Sequence, residues 1–573
     1  MPLTTKQYLS FFLCATAVLA GNRSDNHIYR DVVVIGGGSA GTYAAFRLQQ
    51  EGFSVAVLEK NNRLGGHVNT FHVPDTNTTF DYGVIVYHNI SIATNYFSAL
   101  GVDIIAAPLN GDTATYADLN GDAKATTVIP PSIPWADSAA VTAALKNYIS
   151  LYNTQFPFLN DGFNLPDPVP EDILLPWANF MAKHGLDAAA FNVYEINQGV
   201  GNEMALPALY AMKYFSSLTA GGLLGIEPGF ITTADFNNQG IYDKALGKLD
   251  EGKGAFLNAT ISQVTRGEDG VSVVIKTPTG GEQIVRAKQL VIAIPPIVAE
   301  LQAIGLDLSP EEENIFDQTS FKWYFDAVIE NSGLPDDISL NNIDFTKPDG
   351  IPIAHQMVLK VDLTAVPGLR RLYYSSDQDI SDTDVKADIL DTLSRYRTAN
   401  GLNTSVETVF AGFHNHAPYE ITVPVDAIRK GYYKKRNKLQ GCRNTWYTGA
   451  AWQAHDSTLI WNFTESVVVG SLIVLHTMVE MIYCNLWDLA MNNYKEGSCP
   501  SSRKRQQGDK GQEKTNGLGI HGLGQLGPEL LMKGQGARDK GQEKDSDAQN
   551  VPGRSRTTGF PTVHTAYENN RLG

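Results

Sequence analysis

Asp31-Val32-Val33-Val34-Ile35 is an unbroken β-branched run near the start of the chain. It has no polar face, which predicts a strand buried on both sides, as in a parallel sheet. The run passes directly into Gly36-Gly37-Gly38-Ser39-Ala40-Gly41. From Thr42 to Gly52 the apolar residues fall at helical spacing (Ala45, Leu48), and Gly52 stops the helix. A second strand, Ser54-Val55-Ala56-Val57-Leu58, ends at Glu59. Far along the chain, Leu290-Val291-Ile292-Ala293-Ile294 is another all-apolar strand, closed by Pro295-Pro296. Between these blocks, 171–183 and 188–218 predict helices, while 324–329 and 355–361 predict strands. The fold class is therefore α/β.

The two ends differ from this body. Lys6 followed by an apolar run from Tyr8 to Ala20, with small residues at its close, predicts a secretory leader over residues 1–20. Its apolar stretch is too short to span a membrane. Asn22, Asn77, Asn89, Asn258, Asn403 and Asn462 head x-Ser/Thr acceptor sequons, which agrees with export. N-glycans are expected at some of Asn77, Asn89, Asn258 and Asn403. Asn462 lies inside a site motif and is expected to be too buried. The protein is expected to be secreted or held in the secretory lumen. From 495 to 573 the chain is Gly, Gln, Lys and Ser rich, and Asp-Lys-Gly-Gln-Glu-Lys occurs at both 509–514 and 539–544. Such composition predicts disorder, whether or not this tail belongs to the mature protein.

The chain has 573 residues, 43% hydrophobic and 18% charged, with a net charge of −16. That composition fits a globular enzyme and argues against a nucleic-acid partner, which needs a basic face. Four Cys exclude a disulfide scaffold. Loss of Cys14 with the leader leaves Cys442, Cys484 and Cys499, enough for one disulfide at most. The twelve His show no metal-ligand spacing. His414 and His416, two apart, fall on one face of a strand, where packing or exposure is expected. The segment 464–486 is apolar enough to consider as a membrane span, but Glu465, His476 and Glu480 interrupt it, so spanning is not expected.

The glycine block carries the most specific chemistry. Gly36 makes a tight turn, Gly38 lets a backbone approach a pyrophosphate, and Gly41 lets the helix pack on the strand. The helix N-terminus at Ser39 faces the phosphates. Glu59, about twenty residues on, accepts hydrogen bonds from a ribose. This set predicts dinucleotide binding. Arg63-Leu64-Gly65-Gly66-His67 follows at once and offers the same pyrophosphate further N–H groups and a cation. NAD enzymes do not need a second clamp, so the expected cofactor is FAD.

At this point the sequence resembles the flavin amine oxidase superfamily, whose Arg-x-Gly-Gly-Arg-x-x-Thr/Ser pattern is matched by Arg63, Gly65, Gly66 and Thr70. His67 replaces the second Arg. Within the superfamily, Gly65-Gly66-His67-Val68-Asn69-Thr70 and Asp81-Tyr82-Gly83-Val84 look closest to the fungal secreted beta-cyclopiazonate dehydrogenase family. The resemblance runs over roughly 30–485. It implies that Gly83 approaches the isoalloxazine, that Ile261 offers backbone groups to the adenine, and that Gly449 with the helix carrying Trp461 meets the flavin pyrimidine. Ala450 stands where the family has Glu. Lys322 corresponds to a lysine near N5, Trp461 to an aromatic residue on the substrate face, and His88 is a candidate base. Flavin attachment at Cys442 is not expected.

The resemblance further implies a discontinuous Rossmann-like FAD domain (29–104, 225–300 and 440–487) with an interleaved α+β substrate domain (105–224 and 301–439). The expected activity is dehydrogenation of a small organic substrate by C–H or C–N oxidation, extending to oxidative cyclisation of a secondary metabolite. O₂ or another carrier is the acceptor. A redox-neutral flavin isomerase and a non-catalytic flavin-binding protein are the alternatives. Substrate identity, acceptor and oligomeric state are not legible in the sequence.

Overall fold

The computed structural model describes residues 26–478 and 481, apart from 109–112, 227, 251, 277–280 and 354. The leader, Asn22, Cys14, Cys484, Cys499 and the tail lie outside the described residues. The chain divides into two units, and all described residues but Met478 and Met481 belong to the first.

The first sheet of that unit is built on β1 (His27–Ile35), helix α1 (Ser39–Gln50) and β2 (Val55–Leu58). β1 pairs in parallel with β2 on one side and with the strand Glu282–Ile292 on the other. The strand order is 260–267, 270–276, 282–292, β1, β2, 255–256. Val32, Val33, Val34 and Ile35 are at most 2% exposed. Val32 and Val34 enter one core, Val33 and Ile35 the other. This is why the run has no polar alternation: both faces are covered, and each buried side chain contributes about 1.5–3 kcal/mol. The strand 282–292 changes partner along its length. Its first half pairs with Gly270–Lys276 and its last three residues with Thr445–Tyr447. Three strand ends, Ile35, Ile292 and Tyr447, thus arrive side by side.

The segment 445–447 is pinned by a buried ion cluster. Arg266 Nη1 donates to Glu312 Oε1 at 2.7 Å, and the Tyr447 hydroxyl donates to the same oxygen at 2.7 Å. Glu312 also closes a capping box with Ser309 at the start of the helix Pro310–Phe316. Burial alone would raise the Glu312 carboxyl. Hydrogen bonds from Arg266, the Ser309 N–H and Tyr447, with the attraction of Arg266, hold it at about 2 instead. A depressed carboxyl stabilises the fold above its unfolded value of 4.5 and loses that contribution as pH falls toward 2. Glu312→Ala is expected to cost about 3–5 kcal/mol at neutral pH. Thermal melts of the variant and wild type should converge as the pH falls through that window.

The second sheet runs 409–415, 320–330, 369–376, 356–363, 338–342, 113–117. Ser320–Glu330 also changes partner, meeting Tyr419–Thr422 at its start and Val409–Asn415 beyond. Helices Ser138–Gln155, Trp177–His184, Ala190–Ile196, Ala208–Tyr214 and Ser217–Leu223 form an aromatic-rich layer. The long helix expected over 188–218 is interrupted: 197–207 is a turn-rich connection with Gly199 and Gly201 at positive φ and Pro207 before the next helix. Gly199 has a packing reason, since a Cβ there would lie 2.7 Å from the Tyr324 ring.

Ser457–Met478 is 22 residues of helix with mean hydropathy 1.6, long and apolar enough to cross a membrane by length and composition. Half of it is buried in the protein, and Trp461 packs against Tyr43 of α1 and Tyr96 of the helix Ser91–Leu100. Glu465, one of the charges that interrupt the apolar run, accepts hydrogen bonds from Tyr43 and Arg47 of α1. The helix is thus anchored on α1 through both its apolar face and its charge.

Candidate active site

Glycines shape the loop after β1 and its neighbour. Gly36 has φ +98°, and a Cβ on it would sit 2.7 Å from Ile294 Cγ2. A Cβ on Gly41 would sit 1.9 Å from Gly36 O, so the helix can approach the strand only without one. Gly38 differs: its nearest atom would be Gly66 Cα at 3.9 Å. Gly65 N–H donates to Gly37 O at 2.8 Å, so the two glycine loops lie against each other, and a Cβ on Gly66 would stand only 3.1 Å from Gly38 Cα. Ser39 Oγ and the hydroxyls of Tyr87 and Tyr242 are buried and approach one another without satisfying a hydrogen bond. Buried polar atoms left without partners each cost about 1–3 kcal/mol. Here they surround the N-terminus of α1, where a phosphate would satisfy them. Glu59, at the end of β2, accepts from Gly37 N–H at 2.6 Å and from Asn61 N–H at 2.8 Å. Open glycine faces, a helix N-terminus, unsatisfied donors and an acid at the next strand end fit a bound dinucleotide.

The Arg63 guanidinium is not free for a phosphate. Nη1 donates to Val68 O at 2.8 Å and Gln239 Oε1 at 2.6 Å, and Nη2 to Asn69 Oδ1 at 2.6 Å and Gly66 O at 3.2 Å. It braces the Gly65-Gly66 turn from behind, a correction to its expected direct contact. His67 likewise turns away from the glycine loops. Its ring lies 4.5 Å from His416 and 6.1 Å from Tyr419. With both side chains engaged elsewhere, backbone N–H groups and the α1 dipole are what the glycine loops would offer a phosphate. Gly83 is a forced glycine, because a Cβ there would lie 2.2 Å from His67 O. Ile261 sits opposite Ile275, beside a bulge that separates it from Gln263. Gly449 has φ +111° and follows Thr448, whose N–H donates to Ile292 O at 3.0 Å. It stands with Gly36 at the carboxyl ends of the adjoining strands, where this kind of sheet binds ligands.

Two expected catalytic roles are corrected. Trp461 is fully buried among Tyr43, Tyr87, Tyr96 and Phe97, and its indole N–H meets Ser39 O at 3.3 Å. It supports the glycine loop from the core and presents nothing to a substrate. His88 is 1% exposed, stacked on Phe230, with Nε2 at 2.9 Å from Asp456 Oδ2. Asp456 caps the helix Ser457–Phe463 by accepting from Leu459 N–H. Burial pushes the Asp456 carboxyl up, but His88 and the cap N–H groups outweigh it and hold it low. His88 is thus a sealed brace for a helix cap rather than a base open to substrate. Lys322 lies half-buried on the strand 320–330, in register with Tyr419. Its stem passes 3.2 Å from where a Cβ on Gly201 would stand. Asn462 is exposed rather than buried, another correction. Asn77, Asn258 and Asn403 are exposed and Asn89 half-buried. Cys442 is an exposed free thiol.

A second group of residues gathers beyond His67. The rings of His416, Tyr324 and Tyr419 meet at 4.9–5.7 Å, His455 stacks on Tyr419 at 3.8 Å, and the Tyr214 hydroxyl is 2.8 Å from that of Tyr419. His67 is exposed, and the surrounding protein, with His416 and His455 nearby, pushes its imidazole well below the usual range. Beneath it, Asp326 is fully buried, 2.8 Å from His416 Nε2 and 3.1 Å from Asn69 Nδ2. His414 also turns toward Asp326, at 3.8 Å, and bonds the Tyr82 hydroxyl. Among the described residues no cluster has a metal-ligand arrangement.

Fold and site define a dinucleotide-binding redox protein. Residues 34–100 match the NAD(P)-binding Rossmann-like domain. The chain is 36% identical to FAD-dependent oxidoreductase oblC of Cochliobolus heterostrophus, over 78% of this chain and 92% of that protein. It is 31% identical to beta-cyclopiazonate dehydrogenase of Aspergillus oryzae, over 82% and 99%. The chain belongs to this family of FAD-dependent oxidoreductases. Among solved structures, the fold is similar to a fatty acid isomerase from P. acnes (TM-score 0.61, 20% identity, 77% of this chain and 98% of that one). It is also similar to putrescine oxidase (TM-score 0.54, 17%, 78% and 100%). The protein is an enzyme, an FAD-dependent oxidoreductase of amine-oxidase-like fold.

Proposed function

We propose that the enzyme dehydrogenates a small, ring-bearing organic compound of secondary metabolism and that it works in the secretory pathway or outside the cell. The observation that carries the substrate reading is the cluster of rings formed by His67, Tyr324, His416, Tyr419, His455 and Tyr214. Flat aromatic surfaces bind flat apolar compounds and exclude water from the reacting bond. The naming of one relative as beta-cyclopiazonate dehydrogenase supports a secondary metabolite, and oxidative ring closure is one form the reaction takes in this reading. The leader and the exposed sequons at Asn77, Asn258 and Asn403 support export.

FAD, when bound, accepts the electrons and hydrogen removed from the substrate. The chain itself does the rest. Gly38, Gly66 and the α1 N-terminus would hold the diphosphate, and Glu59 the ribose. Gly83 and Gly449 let backbone approach the ring system, and the aromatic wall orients the substrate. Electrons pass finally to O₂ or another acceptor.

One preparation tests the reading. Enzyme recovered from the culture medium, its gel mobility shifted by an endoglycosidase, is mixed anaerobically with aromatic alkaloids and polyketides. Persistent loss of the yellow absorbance is expected with a true substrate. Turnover without net bleaching would show isomerisation instead.

A further inference from the structure

Glu420 is an acid set among the rings of the wall, apart from Asp326, whose carboxyl is taken up by His416 and Asn69. It follows Tyr419 and is 7% exposed. Its φ is +45°, a left-handed conformation that costs a side chain such as Glu about 1–2 kcal/mol. Strain of this kind is retained where the fold over-determines it, often at functional sites. The nearest basic side chain is His455, with Nε2 3.8 Å from Glu420 Oε2. That pair is not an ion pair. His455 Nε2 accepts the Glu420 backbone N–H at 3.0 Å, so this nitrogen carries a lone pair and the ring is neutral. Burial, with His416 nearby, holds the His455 pKa at about 3, in agreement. Among the described residues no donor bonds the Glu420 carboxyl.

A buried carboxylate with neither counter-charge nor donor is too costly to persist, and the group takes up a proton. Burial raises Glu420 to about 8. The groups facing it do not reverse this. Tyr419 lies beside it on its own strand and Lys322 and Tyr324 on the paired strand. His416 precedes it, Tyr210 and Tyr214 come from the helix Ala208–Tyr214, and Glu203 comes from the turn before that helix. Glu203 is itself buried and raised to about 8, first by burial, with a smaller push from Glu420. Among these rings Glu420 therefore presents a carboxylic O–H beside the neutral His455, while Asp326 lies beneath, held by His416 and Asn69.

Resting on the reading of this wall as the substrate site, we propose that Glu420 selects an uncharged aromatic substrate. In its protonated form it donates a hydrogen bond to a neutral acceptor, a carbonyl or imine beside the bond to be oxidised. A protonated amine is disfavoured, because it would have to displace that proton before it found a partner.

A matched pair of probes tests this by calorimetry on the flavin-loaded enzyme: acetophenone, neutral with a carbonyl, and 1-phenylethylammonium, the same skeleton with a charge. At about pH 7 acetophenone is expected to bind at least about tenfold more tightly. At about pH 9, with Glu420 ionised, that preference should vanish or invert. Glu420→Gln keeps an N–H donor without a titrating proton. It should keep the preference for acetophenone at both pH values, with its flavin spectrum reporting an intact fold. Glu203→Gln should keep the wild-type switch. The proposal is overturned if the ammonium binds as well as acetophenone at about pH 7, or if Glu420→Gln still switches. It is also overturned if Glu203→Gln abolishes the switch, or if neither probe binds yellow enzyme. A colourless wild-type enzyme would undo the flavin reading instead.

Discussion

Gly38→Leu gives a folded, colourless protein. Gly38 has φ −69° and ψ −170°, a conformation open to any side chain, and its Cβ would meet nothing nearer than Gly66 Cα at 3.9 Å. The added side chain would project from the N-terminus of α1 beside the second glycine loop. A diphosphate received by that N-terminus and the Ser39 hydroxyl would meet it there. FAD affinity should fall at least about a hundredfold, or about 2.7 kcal/mol, while the melting temperature stays at that of flavin-free wild type. Gly41→Leu is the contrasting variant. Its Cβ would lie 1.9 Å from a backbone oxygen, so it should lose the fold together with the flavin. Flavin fluorescence quenching and thermal melts separate the two outcomes.

Asp326→Ala is expected to cost about 3 kcal/mol and to weaken FAD binding from a distance. Asp326 has no exposed surface, and it holds His416 and Asn69 together. Asn69 in turn accepts from Arg63, whose other hydrogen bonds fix Gly66 and Gln239. Removing the carboxylate leaves buried donors unpaired on both sides and frees the Gly65-Gly66 turn. The melting temperature should drop in the flavin-free protein and drop further in the loaded one. Asp326→Asn, which keeps one acceptor, should recover part of the loss. Equal melting of Asp326→Ala and wild type would show that this network positions nothing.

The dinucleotide half was legible because its chemistry is local. β1, the glycine loop, α1, β2 and Glu59 are consecutive, so spacing alone states their arrangement. Arg63 and His67 were legible as residues but misleading as roles. A cation in the right sequence position was expected on the phosphate. Its real acceptors, Gln239 and Asn69, are set by a helix 176 residues away and by a turn held on Asp326. The aromatic wall was not legible. Tyr214, Tyr324, Tyr419 and His455 come from four separate segments, and two long strands that change partners midway bring them together. Trp461 and His88 were mistaken for site residues for the complementary reason. Both adjoin motif residues in sequence, but adjacent positions on a helix or strand face different surroundings. Their rings point into the core behind the cofactor position.

The central claim is that the chain after residue 26 folds its main chain around the diphosphate of FAD. The most direct test is the absorbance spectrum of the purified protein, followed by heat denaturation and identification of what is released. The account predicts a flavin spectrum and about one FAD per chain. A protein that is colourless as purified and stays so after incubation with excess FAD would contradict it.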